Sequence, residues 1–347
     1  MQRQFVSSGR VQYFPSCEYK GNGEFVSLLS NEKYSVSYKK EVDSTYMNVV
    51  VPSKRPSPFS IEGDARCVPL NELPVLGQRY KDFVLVGAGK TAMDAALFLL
   101  ANEVNPENIR WIMPRDSWIL DRAHIQPTLD SLGKLFSNQI VPGSESKDID
   151  DFFENIWKAG GLLRIDDAVK PTMYRCSTVT QAELKQLKRI NKIVRKGRVK
   201  TISEHEIVLE EGSIATTLNT LHIDCAGDGL AKRPSVPIFH NRKITLQSVR
   251  TCQQVFSAGL LGYVEAHYQD DEEKNKLCRP IPHPNTDIDF LRNTLADSAN
   301  RASWAKEPKL NRWLQVSRLN AESHVLKASP MAKAFSFFSK IPFLKFS

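Results

Sequence analysis

The stretch FVLVGAGKTAMDAALFLLANEV, residues 83–104, leaves its part of the chain few ways to fold. Phe83-Val84-Leu85-Val86 is an unbroken apolar run, as expected of a strand buried on both faces. Gly87-Ala88-Gly89 follows, and then AMDAALFLL, whose apolar residues recur at helical spacing. A strand, a tight turn and a helix in that order begin a βαβ unit, which predicts an α/β fold around parallel strands.

The turn reads G-x-G-x-x-A over Gly87, Ala88, Gly89, Lys90, Thr91 and Ala92. Gly87 permits the sharp exit from the strand. Gly89 has no Cβ, so a pyrophosphate can approach the backbone. Ala92 is small enough for the helix to pack closely on the strand. The start of the helix offers N–H groups and the positive end of its dipole to an anion. These demands together predict a Rossmann-type dinucleotide site. Lys90-Thr91 resembles the end of a P-loop, but the spacing G-x-x-x-x-G-K-[ST] is missing. NIRWIMPR, residues 108–115, reads as the next strand. An acidic residue at that strand's end suits NAD, whereas an arginine suits the 2′-phosphate of NADP. Arg115 therefore favours NADP, and the adjacent Asp116 leaves NAD open.

Around this unit the patterns change. Residues 1–52 carry short alternating runs rich in Val, Tyr and Phe, which read as strands. Residues 52–82 read as a proline-punctuated connector. Residues 120–200 carry helical period. KDIDDFFENIWKAGG has acids at its start and glycine after its end, and TVTQAELKQLKRINKIVRKG has threonine at its start, Glu183 in its first turns and cations toward its end. RVKTISEHEIVLEEGS predicts a hairpin or meander, TLHIDCAGDGL a buried strand running into a glycine turn, and residues 244–267 a strand and then a helix.

Composition excludes several classes. The six cysteines form no C-x-x-C pair and have no histidine cluster beside them, so neither a metal site nor a dithiol redox motif is expected. They read as reduced cysteines of a cytoplasmic protein. The first residues lack the apolar core of a signal peptide, and no run approaches the ~18 apolar residues of a membrane span. The net charge of +8 reads as a solubility feature. Residues 185–200 hold eight Lys or Arg but no aromatics. They read as a solvated helix face leading into a strand, with no nucleic-acid partner expected. A basic surface nearby also suits the phosphates of NADPH. Residues 326–347 read as a basic and apolar tail, flexible or locally docked. His124, His267 and His283 read as structural, with His124 the alternative for facing a nicotinamide. Asp228 reads as a turn cap or a flavin contact.

The order VVVPSKRPSPF, VLVGAGKTAMDAA, WIMPRDSW, LHIDCAGDGL resembles that of FAD/NAD(P)-binding oxidoreductases of the flavin-monooxygenase and pyridine-nucleotide oxidoreductase type. The resemblance implies that residues 83–115 hold NADPH. It also implies that Cys225-Ala226-Gly227 stands for that family's Ala-Thr-Gly-like turn, with Ala226 at the threonine position. The implied organisation is a β-rich segment and connector of an incomplete FAD-type domain over 1–80, a NAD(P)-binding Rossmann domain over 81–225, a return to the FAD-type domain over 226–325, and the tail. Upstream of Gly87 there is no second glycine fingerprint; YKGNGEF, residues 19–25, has no apolar strand before it. The expectation is thus a chain that begins inside the FAD-type domain and lacks its first βαβ unit. The implied function is hydride transfer from NADPH to FAD and on to oxygen or a small acceptor, as in a monooxygenase-like enzyme. The alternative is a protein that binds NAD(P) without turnover. No catalytic base or nucleophile stands out, and the sequence names neither the small-molecule substrate nor an oligomeric state.

Overall fold

The computed structural model describes residues 2–321 and residue 323; the expected tail, 326–347, lies outside the described residues. Asp82–Val86 forms a strand whose last four residues are buried. An apolar strand covered on both faces belongs in the middle of a sheet. It pairs in parallel with Ile109–Ile112 on one side and Thr220–Asp224 on the other. Lys192–Val194 adds in parallel beyond Ile109–Ile112, and Cys67–Pro69 beyond Thr220–Asp224. The result is a mixed α/β structure centred on a five-stranded parallel sheet.

The helix Lys90–Ala101 connects the first two parallel strands of its unit and buries Ala92, Met93, Ala95, Ala96, Leu99 and Leu100. These positions fall at the three- and four-residue spacing of one helix face. Three of the six are alanines, so the helix can lie close against the sheet. The main core joins this face to Phe83, Leu85, Trp111, Leu221 and Ile223.

The expected hairpin or meander forms as a meander of Val199–Ile202, Glu206–Leu209 and Gly212–Ala215, with Ser60–Ile61 added in parallel. Near the start, Cys17–Gly21, Glu24–Ser27 and Lys33–Ser35 make a three-stranded antiparallel sheet, and the glycines of YKGNGEF turn between its first two strands. Toward the end, the helices Gln254–His267, Ile288–Ala305 and Pro308–Val316 enclose a second core that includes Phe239, Phe256 and Trp304. Among the described residues no helix is long and apolar enough to cross a membrane.

Three expectations need correction. The helical period over 120–200 is interrupted by Met173–Val179, a strand that pairs in parallel with Ser117–Asp121. The helix starting at Thr180 has its capping box with Glu183 but stops at Leu187. Lys192–Val194 is instead taken up as a sheet edge, because ladder pairing with Ile109–Ile112 outweighs the local helical preference. The cysteines are not all reduced: Cys176 and Cys252, 76 positions apart, form a disulfide with a Cα–Cα distance of 6.5 Å. Cys17, Cys67, Cys225 and Cys278 are free.

Close helix–sheet packing at fully buried Ala92 gives a direct test. Ala92→Leu should cost about 1–3 kcal/mol in urea unfolding through overpacking. An unchanged midpoint would contradict the packing described here.

Candidate functional site

The chain leaves the central strand Asp82–Val86 toward Ile109–Ile112 on one side and later returns through Thr220–Asp224 on the other. At such a reversal of strand order a crevice opens outside the carboxyl ends of the strands. Here the residues following these three strands line one cleft of about 290 Å³. Gly87, Ala88, Gly89, Arg115, Ala226 and Gly227 all face it. Lys90, Thr91 and Ala92 do not line it; they form the first turn of the helix behind it.

Gly87 and Gly89 meet different demands. Gly87 has φ +126°, and a Cβ there would lie 2.8 Å from the Cys225 carbonyl oxygen. The Gly87 N–H donates to the Ile112 carbonyl at 3.0 Å, its own carbonyl accepts from the Trp111 indole at 2.7 Å, and the Cys225 N–H donates to the Val86 carbonyl at 3.0 Å. The two turns are thus joined backbone to backbone. Gly89 has an ordinary φ of −86° and no atom within 4 Å of where its Cβ would stand. No side chain caps the helix that starts after it. An uncapped helix start with open space beside it leaves backbone N–H groups without a side-chain partner, and a side chain at Gly89 would enter that space. The Lys90 ammonium pairs with Asp94.

Asp224 secures the second turn. Its carboxylate accepts from the Ala226 N–H at 2.9 Å and the Ser57 hydroxyl at 3.0 Å, with Arg55 at 3.7 Å. The turn cap expected of Asp228 therefore falls to Asp224. Asp228 lines the cleft and pairs with Arg175 at 2.6 Å and Lys232 at 3.6 Å.

The cleft gathers positive charge. Arg115, Arg175, Arg198 and Lys232 line it, against the single carboxylate of Asp228. Asn285 Oδ1 accepts from Arg115 at 3.0 Å and from Arg175 at 2.7 Å, so a neutral amide holds two guanidinium groups without cancelling their charge. Burial, then the Arg175 and Arg198 charges, push the Arg115 guanidinium below its usual range, while Asp228 opposes the shift. The Arg198 backbone N–H donates to the Glu210 carboxylate at 2.8 Å while Arg198 lines the cleft, and an anion there would relieve the crowding of cations.

Asp116, adjacent to Arg115, is not available to a ligand. Arg195 grips both its carboxylate oxygens, at 2.8 and 3.0 Å, and Arg195 also bonds Asp166 at 2.9 Å. Among the described residues no group of side chains could hold a metal ion. Burial pushes the Cys67 thiol up to about 12 and raises that of Cys225, so neither is a thiolate near neutral pH. His283 lies beside Gly229; burial, then Arg175, lowers its pKa, which favours the neutral ring. His124 lines a separate cavity of about 230 Å³ with Tyr174, Arg250 and Phe290, not the cationic cleft. His267 stacks on Tyr263.

Sequence reading missed Arg175 and Lys232 altogether, and took Arg195 and Arg198 only as members of a basic stretch. The alternation in MYRCSTV, now the strand Met173–Val179, was the available signal for Arg175.

No family model matches the chain. The uncharacterized proteins Rv2000 of Mycobacterium tuberculosis and Mb2023 of Mycobacterium bovis are each 45% identical to it over 94% of its length. The chain spans 61% of the length of each of these relatives.

The two glycines should separate folding from binding. Gly87→Ala should destabilise the fold by about 1–3 kcal/mol through its left-handed φ and the clash with Cys225. Gly89→Ala should cost less than about 1 kcal/mol, since only cap preference changes, yet should lower affinity for a dinucleotide phosphate. Equal thermal shifts for the two variants would contradict this division.

Proposed function

We propose that the cleft binds NADPH, and that residues 81–225 act as a Rossmann-type nicotinamide-nucleotide unit within a cytoplasmic, monooxygenase-like flavoprotein oxidoreductase. In this reading residues 226–325 and the residues before Ser60 belong to the flavin side, while Ser60–Ile61 and Cys67–Pro69 pair into the sheets of the nucleotide unit. The observation that carries the proposal is the charge arrangement beside the glycine turn. Three arginines and a lysine line the cleft there with one carboxylate, Asp228, which pairs with Arg175 and Lys232, while Arg195 occupies Asp116, the group that would have favoured NAD.

The residues fit the two anionic parts of the nucleotide. The uncapped helix start and the open space at Gly89 suit its pyrophosphate. Arg115, held by Asn285, suits its 2′-phosphate, since a guanidinium pairs with phosphate through two parallel hydrogen bonds. When bound, the nicotinamide supplies a hydride. The chain's own part is to hold and orient the nucleotide at the carboxyl edge of the sheet. FAD enters this reading through the resemblance and the Cys225-Ala226-Gly227 turn. Upstream of Gly87 the sequence carries no second glycine fingerprint for a flavin pyrophosphate.

The second reading, NAD(P) binding without turnover, draws on Cys225, which lines the cleft and whose thiol burial pushes up, away from the reactive thiolate form. A visible spectrum of the purified protein separates the two: bound flavin absorbance that bleaches with NADPH supports the oxidoreductase, and a colourless protein that binds NADPH supports the second reading. For the nucleotide itself, NADPH should bind at least tenfold more tightly than NADH. Arg115→Ala should remove about 1.5–3 kcal/mol of NADPH binding, roughly 10–100-fold, and leave NADH affinity little changed. Equal affinities of the unaltered protein for the two nucleotides would contradict the assignment.

A further inference from the structure

The Cys176–Cys252 disulfide lies at a junction between the two cavities. Cys176 follows Arg175, which lines the cationic cleft, and Tyr174, which lines the second cavity. Cys252 stands between Thr251 and Gln253, which both line the second cavity. The bond therefore ties the strand that carries a cleft arginine to the segment leading into the helix Gln254–His267.

Two further features mark the pair. Both cysteines have φ +56°, in the left-handed region that non-glycine residues rarely adopt without support. The pairing of Met173–Val179 with Ser117–Asp121 also slips its register between Tyr174 and Thr178, an interval that contains Arg175 and Cys176. Such an irregularity aims a side chain that regular pairing would point elsewhere. Cys252 is exposed and Cys176 half-buried, so one sulfur is open to attack.

We propose that Cys176–Cys252 is a thiol–disulfide exchange site for a dithiol reductant, and that reducing it weakens the hold of the cationic cleft on its nucleotide. A thiolate of the reductant attacks Sγ of Cys252, the S–S bond breaks, and Cys176 leaves as a thiolate that takes up a proton. The second thiol of the reductant then resolves the mixed disulfide and frees Cys252. Two electrons and two protons reach the pair, and the reductant becomes a disulfide. Freed of the cross-link, the backbone at Cys176 can leave the left-handed region. Arg175 then moves relative to Asn285 and Asp228, its partners at 2.7 and 2.6 Å. This coupling rests on the NADPH reading; the exchange does not.

The test uses the full chain. After denaturation, oxidised protein should present four reactive thiols and reduced protein six. Native protein should lose the bond in millimolar dithiothreitol without unfolding. The NADPH dissociation constant should be at least threefold weaker for the reduced form, and Cys252→Ser should match the reduced form under both conditions. Six thiols in oxidised protein, or a bond that yields only after unfolding, would overturn the exchange site. Equal NADPH affinity of the two forms, with four and six thiols counted, would overturn the coupling. A protein that binds no NADPH in either form would contradict the nucleotide reading and with it the coupling, while the thiol counts would still decide the exchange site.

Discussion

The site depends on one backbone approach. Gly87 passes so near the Cys225 carbonyl that a Cβ would stand 2.8 Å from its oxygen. That approach follows from the parallel pairing of Asp82–Val86 with Thr220–Asp224, which brings two turns separated by more than a hundred residues to the same edge of the sheet. Any side chain at Gly87 would drive them apart. With the turns joined, the start of the helix Lys90–Ala101 opens toward the crevice that lies between them.

Electrostatics then gives the crevice its character. Arg115 follows the second parallel strand, Arg175 sits on a strand outside the main sheet, Arg198 precedes the meander and Lys232 follows the Cys225–Gly227 turn. Four separate segments thus bring cations to one place with only Asp228 to balance them. Like charges held together in this way lower stability unless an anion joins them. Arg195 adds a second layer. By gripping Asp116 it removes a carboxylate that would repel an anionic ligand.

How much of this could be read from the chain depended on how local each feature was. The strand, turn and helix around Gly87 are set by consecutive residues, and the structure forms them as read. The strands after Arg198 were equally legible, because alternation over a few residues specifies them, although it does not fix their number and so leaves hairpin against meander open. Arg175 escaped because its strand pairs with Ser117–Asp121, more than fifty residues away, and its place in the cleft exists only in that pairing. The basic stretch was legible as charge but not as geometry: its helix gives way at Leu187 to an edge strand that only the neighbouring Ile109–Ile112 can justify. The Cys176–Cys252 pair has no spacing motif to betray it, since 76 residues separate its members.

Phosphorus NMR of NADP⁺ titrated with the protein tests the central claim most directly, because the pyrophosphate and the 2′-phosphate give separate resonances. The account predicts that both shift together on binding, the first at the helix start beyond Gly89 and the second among the cleft arginines, and that Gly89→Ala reduces the shift of both. A 2′-phosphate resonance that stays at its free position while the pyrophosphate moves would contradict the role given to the cationic side of the cleft. No change in either resonance would contradict the site itself.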